Sequence, residues 1–239
     1  RILDEILKFN NKIKFYQASS SEMFGEDNSK IKNENSEFKP ISPYAVAKLY
    51  SYWMVRLYRN GYGLFASNGI LFNHESSIRG LEFVTRKISN EIAKISLGLS
   101  KSIKLGNLSA KRDWGYAPEY VEGMWKMLQQ KTSDDFVLAT NETHSVGEFV
   151  DEACKVAGVS KSKIKTDKRF LRPMDVKNLR GDYKKAEKIL KWKPKITFKN
   201  LVKIMVEEDI NRWEKWLKKE IQPWDAVMSG EDSNIVSKK

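Results

Sequence analysis

Cysteine is almost absent from this sequence, which carries Cys154 alone. One thiol forms no internal disulfide, and it suits a reducing compartment, so a cytoplasmic location is expected. Cys154 lies in an amphipathic helical pattern and reads as core. His74 and His144 are the two histidines, and no Cys/His spacing that would hold structural zinc occurs. Apolar runs stay well short of the roughly 20 residues that span a bilayer, and no signal-peptide pattern opens the chain. No membrane partner is therefore expected. Also missing is any Gly-x-x-Gly-x-x-Gly, the turn that cradles the pyrophosphate of a dinucleotide. No internal repeat or low-complexity tract occurs.

What is present is ordinary for a globular protein: 239 residues, 41% hydrophobic and 11% aromatic, enough for one large domain or two small ones. The net charge of +12 invites a nucleic-acid reading. The lysines, however, are spread along the chain among Glu, Asn and Ile, with no block longer than two and no RNA-recognition signature. No nucleic-acid partner is expected. A basic surface still favours an anionic small-molecule partner.

Strand and helix patterns alternate, which gives an α/β class. Residues 1–9 read as the later turns of an uncapped amphipathic helix, and a strand follows at 13–18. Residues 26–41 are polar loop. Ser42 is a good N-cap and Pro43 a good first helical residue, opening a helix to about Tyr58 that Asn60-Gly61 stops. Further strands are expected at 64–72, 103–105 and 135–140, and helices at 82–97, 118–130, 183–192 and from Thr197 to about 219. Ser145 and Glu148 form a capping box for a helix that Gly158 ends.

Two short runs can do chemistry. Ser19-Ser20-Ser21-Glu22 lies at the carboxyl end of the first strand, where open parallel sheets bind ligands. Its hydroxyls can hydrogen-bond a substrate oxygen, and Glu22 adds an acid/base group. Tyr44 and Lys48 are four apart on a helix and share a face. A phenol is a poor base at neutral pH, and a neighbouring ammonium stabilises its anion.

The runs FYQASSSEMFG (15–25), SPYAVAKLYSYW (42–53), NGILFNHES (68–76), RG (79–80), FVTRKI (83–88), LGN (105–107) and RDWG (112–115) resemble the GDP-mannose 4,6-dehydratases, a branch of the extended short-chain dehydrogenase/reductase family of nucleotide-sugar enzymes. Sparser matches (RP, GD, KA, WKP) continue to about Lys195. The resemblance implies oxidation at carbon 4 of the sugar, loss of water across carbons 5 and 6, and hydride return to carbon 6, with NADP as cofactor. It implies that Tyr44 is the base, that Lys48 assists it and holds the cofactor ribose, that Ser20 anchors the 4-oxygen, and that Glu22 performs the elimination. His74 and Arg79 match cofactor-contacting positions. Asn73, Lys87, Arg112 and Arg172 match positions that hold the GDP-sugar. Two residues depart from the family pattern: Ile78 stands where the family has arginine, which puts tetramer-type contacts in doubt, and Asp175 where it has glutamate.

By the same resemblance the chain is expected to be the C-terminal part of a Rossmann-type doubly wound parallel sheet with a smaller α/β substrate domain, without the first strands and glycine turn. Residues 1–75 and 116–143 would be the remnant of the NADP-binding domain, residues 76–115 and 144–221 the sugar-nucleotide domain, and 222–239 a mobile tail. Residues 1–239 alone are expected to bind NADP weakly and lack turnover. A homo-oligomer, dimer or tetramer, is expected at full length. The rival readings are a GDP-sugar epimerase or reductase, against which Glu22 argues, and a sugar-nucleotide-binding protein without turnover, which the missing glycine turn keeps alive.

Overall fold

The structure is a computed structural model that describes residues 1–25, 31–170 and 178–220. In chain order its helices are α1 (Ile2–Phe9), α2 (Pro43–Tyr62), α3 (Val84–Ser96), α4 (Ala117–Leu128), α5 (Val146–Ala157), α6 (Lys184–Leu190) and α7 (Phe198–Leu217). The strands are β1 (Phe15–Ser20), β2 (Ala66–Leu71), β3 (Asn73–Glu75), β4 (Ile103–Leu105), β5 (Lys111–Arg112), β6 (Trp114–Tyr116), β7 (Asp135–Leu138), β8 (His144–Ser145) and β9 (Ile164–Thr166). The described residues divide into two compact units, those within 1–74, 110–144 and 178–197, and those within 75–109, 145–170 and 198–220. No described helix is long and apolar enough to cross a membrane.

The first unit is built on a parallel sheet of order β1-β2-β7. Parallel neighbours need helical crossovers, and alternate residues of each strand meet different helices. Ile70 and Val137 pack with Tyr52 of α2, beside Met23, Phe24 and Phe72. Leu71, Phe136 and Leu138 pack with Tyr120 and Met127 of α4 and with Ala186 and Leu190 of α6. Burial on both faces explains why β2, ASNGIL, lacks the polar–apolar alternation of a half-exposed strand.

Several boundaries differ from the sequence reading. Strand β1 runs through Ser19 and Ser20, because its pairing with β2 continues to Ser19↔Ile70 and Ser20↔Leu71. Helix α2 passes through Asn60 and Gly61, and Gly63 ends it at φ 68°, a left-handed conformation that glycine adopts without strain. Its other end is as expected, with the Ser42 hydroxyl accepting from the Ala45 amide. The segment 178–197 differs from the expected domain boundaries. Leu190 and Trp192 are buried with Tyr120 in the first unit's core, and the Trp192 indole donates to the Glu119 carbonyl at 2.7 Å.

Asp113 fastens this unit's loops. Its carboxylate accepts from the Thr140 amide (2.8 Å) and hydroxyl (2.7 Å), and from the amides of Asn141 (3.0 Å) and Gly181 (3.2 Å). Burial pushes this carboxyl up to about 6. Asn141, held by it, sits at φ 63°, which asparagine tolerates better than most residues.

In the second unit α3, α5 and α7 pack together, and β4 pairs in parallel with β9. Ser145 and Glu148 form the expected capping box at the start of α5, and Gly158 ends that helix at φ 65°. A fully buried ion pair joins Arg86 to Asp209 at 2.8 Å. Asp209 also accepts from Ser89 and Arg212, at 2.7 Å each. Arg86 and Arg212 both donate to the Ser77 carbonyl, tying the loop after β3 to α3 and α7.

Gly69 of β2 is required by packing rather than by dihedral angle. A methyl there would come within 2.7 Å of the Tyr16 ring on β1. Gly69→Ala is expected to destabilise the protein by about 1–3 kcal/mol through overpacking. Denaturant unfolding checks this, with a smaller loss expected when Tyr16→Phe shortens the neighbour.

Candidate active site

The serine run ends β1 and turns into a 3-10 turn, Ser21–Phe24, whose N-cap is Ser20. The Ser20 hydroxyl accepts from the Glu22 amide at 3.2 Å. That contact uses a lone pair and not the hydroxyl proton, so the group keeps its capacity to donate. Met23 and Phe24 are buried against Tyr52 of α2 and anchor the turn. The Glu22 side chain is half-buried beside it.

Helix α2 brings the second pair to the same strand end. The Lys48 ammonium donates to the Ala18 carbonyl at 2.9 Å, one residue before the serines. It also lies 5.6 Å from the centre of the Tyr44 ring. Tyr44 is 55% exposed, so its phenol is open to a ligand. The lysine thus joins the first turns of α2 to the carboxyl end of β1, one residue before the serine run.

A buried carboxylate fixes the rest of α2. Asp135 of β7 accepts from Arg59 at 2.8 and 3.0 Å, from the Tyr52 phenol at 3.0 Å and from the Asn68 amide at 2.9 Å. Arg56 adds an ion pair at 3.6 Å. Burial pushes this carboxyl up, but Arg59 and Asn68 outweigh it and hold the group below its ordinary value. Residues 44, 48, 52, 56 and 59 fall on one helical face, so the face that presents Tyr44 and Lys48 is the one clamped to the sheet. Sequence reasoning passed over Asn68 and Asp135, although an asparagine inside an apolar strand is a signal, since a buried amide needs partners.

The other expected site residues fall in several places. Asn73 and His74 follow β2 in β3. The His74 ring stacks on Tyr120 at 5.0 Å, and its Nδ1 lies 2.8 Å from the Phe72 carbonyl, which places a proton on Nδ1. Arg112, on β5, donates to the Lys111 carbonyl. Arg79 and Lys87 belong to the second unit. Arg79 pairs with buried Glu75 at 3.4 Å and covers the Phe83 ring at 3.5 Å, and the Lys87 ammonium lies 3.8 Å from the Phe170 ring. Arg172, Asp175 and the tail at 222–239 lie outside the described residues.

A family model described as GDP-mannose 4,6 dehydratase matches residues 1–205. GDP-mannose 4,6 dehydratase 1 of Arabidopsis thaliana is 51% identical over 199 residues, covering 83% of this chain and 55% of the relative. GDP-mannose 4,6 dehydratase of Homo sapiens is 48% identical over 220 residues, covering 84% and 59%. The chain therefore spans a little over half the length of these curated relatives. Among solved structures, dTDP-glucose 4,6-dehydratase from Bacillus anthracis in complex with NAD superposes with a TM-score of 0.79 at 19% identity, covering 92% of this chain and 68% of that one. RMD from Pseudomonas aeruginosa complexed with NADPH gives 0.77 at 20% identity, covering 83% and 67%. At such identities these two structures establish the fold.

The clamp makes a pH-dependent contribution to stability. Because the folded Asp135 carboxyl is held below its unfolded value of about 3.9, its contribution is present above that value and is lost as pH falls through the folded one. Asp135→Asn is expected to lower stability at neutral pH by about 3 kcal/mol, since Arg59 loses its counter-charge. It should also flatten the acid limb of a stability–pH curve measured by chemical unfolding.

Proposed function

Because the chain belongs to the GDP-mannose 4,6-dehydratase family, we propose that the protein carrying it converts GDP-mannose to GDP-4-keto-6-deoxymannose. The observation that carries this reading is the junction at the end of β1, where Lys48 of α2, beside the Tyr44 ring, ties to the Ala18 carbonyl just before the serine run that leads into Glu22. An epimerase that works by transient oxidation at carbon 4, or a simple reductase, has no use for a second proton-abstracting group on that rim. A dehydratase needs one, and Glu22 supplies it.

The reaction divides among these residues. The Ser20 hydroxyl donates to the 4-oxygen of the hexose and orients it. Tyr44 takes the proton of the 4-hydroxyl as carbon 4 is oxidised, with the Lys48 ammonium beside its ring. The new 4-ketone acidifies the proton on carbon 5. Glu22 removes that proton, the bond from carbon 6 to its hydroxyl breaks, and the carboxylic acid returns the proton to the departing oxygen as water. Hydride return to carbon 6 is completed by a proton delivered to carbon 5, which balances the one Tyr44 took from the 4-hydroxyl.

The implied cofactor is NADP, which when bound supplies the acceptor and donor of the hydride. The residues present fit its nicotinamide and ribose end: an ammonium fixed by a backbone carbonyl stands beside an open phenol at the carboxyl end of a parallel strand. Tyr44, Lys48, His74 and Arg79 would hold that end. Asn73, Lys87, Arg112 and Arg172 are proposed to hold the GDP-sugar, where arginine suits bidentate contact with a diphosphate. We also propose a cytoplasmic homo-oligomer.

Two substitutions separate the steps. Glu22→Gln is expected to oxidise carbon 4 yet release little 6-deoxy product, so rapid-quench analysis with GDP-mannose should find a bound 4-keto-mannose species. Normal product yield would remove Glu22 from the mechanism. Tyr44→Phe should lower kcat by at least about a thousandfold with little change in GDP-mannose affinity, because the phenol acts in the transition state and not in ground-state binding. Equilibrium binding beside steady-state kinetics reads both quantities.

A further inference from the structure

Asn68 lies on β2, is fully buried, and faces α2 from between β1 and β7. The orientation of a buried asparagine is often open, since its oxygen and nitrogen have the same shape. Here chemistry decides it. The Asp135 carboxylate, ionised and paired with Arg59, can only accept. The atom 2.9 Å from it must therefore be the amide nitrogen, which also points at the Tyr52 carbonyl, 3.4 Å away. The amide oxygen is then turned to β1, where the Ser19 hydroxyl lies 3.2 Å away. An oxygen without protons forces Ser19 to donate inward.

We propose that Asn68 is a positioning residue, which passes the polarity of the Asp135 clamp to the serine run and sets how that run presents its hydroxyls. Ser19 spends its proton inside the sheet. Ser20, the next residue, points to the opposite side of the strand and caps the turn that carries Glu22. The amide thus joins two supports of the site, the helix bearing Tyr44 and Lys48 and the turn bearing Ser20 and Glu22. This assignment rests on the dehydratase reading only for its kinetic consequence.

Asn68→Asp makes the polarity reversible. Protonated, the new carboxyl copies the amide: its hydroxyl donates to Asp135 and its carbonyl accepts from Ser19. Ionised, it sets an oxygen against the Asp135 carboxylate and the Tyr52 carbonyl. Two carboxylates in contact share one proton and resist losing it. The charged and titratable groups facing this position are Asp135 from β7 and Tyr52, Arg56 and Arg59 from α2, while β1 contributes the neutral Ser19.

The experiment measures kcat, KM and circular-dichroism melting for the native protein, Asn68→Asp and Asn68→Leu between about pH 5.5 and about pH 8.5. The variant-to-native ratio of kcat for Asn68→Asp is expected to fall at least about tenfold as pH rises, with KM little changed and the protein still folded. Asn68→Leu, which cannot ionise, should show a low ratio that is flat with pH. A flat ratio for Asn68→Asp, a native-like Asn68→Leu, or a loss of kcat that only follows unfolding would each overturn the proposal. If the native protein does not turn over GDP-mannose, the functional reading fails on its own. Melting still tests the amide's orientation, because the deficit of Asn68→Asp against native must widen as pH rises, and a constant deficit would contradict it.

Discussion

The first unit depends on how one buried carboxylate is satisfied. Asp135 stands at the start of β7 with two arginines, a phenol and an amide around it. A lone charge there would cost several kcal/mol, and hydrogen bonds to charged groups return about 1.5–3 kcal/mol each. Every donor but one comes from α2, so the requirement of the carboxylate becomes the position of the helix. Lys48 makes the matching tie at the helix's other end, to the Ala18 carbonyl. A helix held at both ends against a parallel sheet presents Tyr44 on a rigid element and not on a loop.

The sheet itself is arranged so that this can happen. Its other face is mainly apolar, closed by Tyr120 and Met127 of α4, the buried face of α6, and Trp192. On the α2 side Asn68 and Asp135 are adjacent across β2 and β7, and Ser19 lies two residues beyond Gln17, the partner of Asn68 on β1. Asp113 plays the comparable part for the loops that follow β7 and Asn178, accepting four hydrogen bonds from two segments, 140–141 and Gly181. In the second unit Asp209 does the same between α3 and α7. In each case a buried acid gathers donors distant in sequence.

That pattern marks what could be read from the chain and what could not. Features set by neighbouring residues were legible: the Ser42-Pro43 start of α2, the Ser145–Glu148 capping box, the Gly158 stop, and the shared face of Tyr44 and Lys48. The α/β class and the family followed from the runs around them. Features set by distant partners were not. Asn60-Gly61 has the composition of a stop, yet packing carries α2 on to Gly63. The strand reaches Ser20 because β2 is there to pair with it. Segment 178–197 was placed with the wrong neighbours because the burial of Trp192 depends on Tyr120, some seventy residues earlier in the chain. Asn68 and Asp135 are 67 residues apart, and nothing local to either says that they meet.

We propose that the protein carrying this site oxidises carbon 4 and reduces carbon 6 of one hexose, with Tyr44 and Glu22 moving the protons between. GDP-mannose carrying deuterium at carbon 4 tests it in a single turnover mixture of labelled and unlabelled substrate. Hydride transfer within one hexose gives a 4-keto product whose deuterium lies on carbon 6 of the same molecule, found by mass spectrometry and proton NMR. A product that keeps its 6-hydroxyl, or one whose label is lost to water or scattered among molecules, would contradict it.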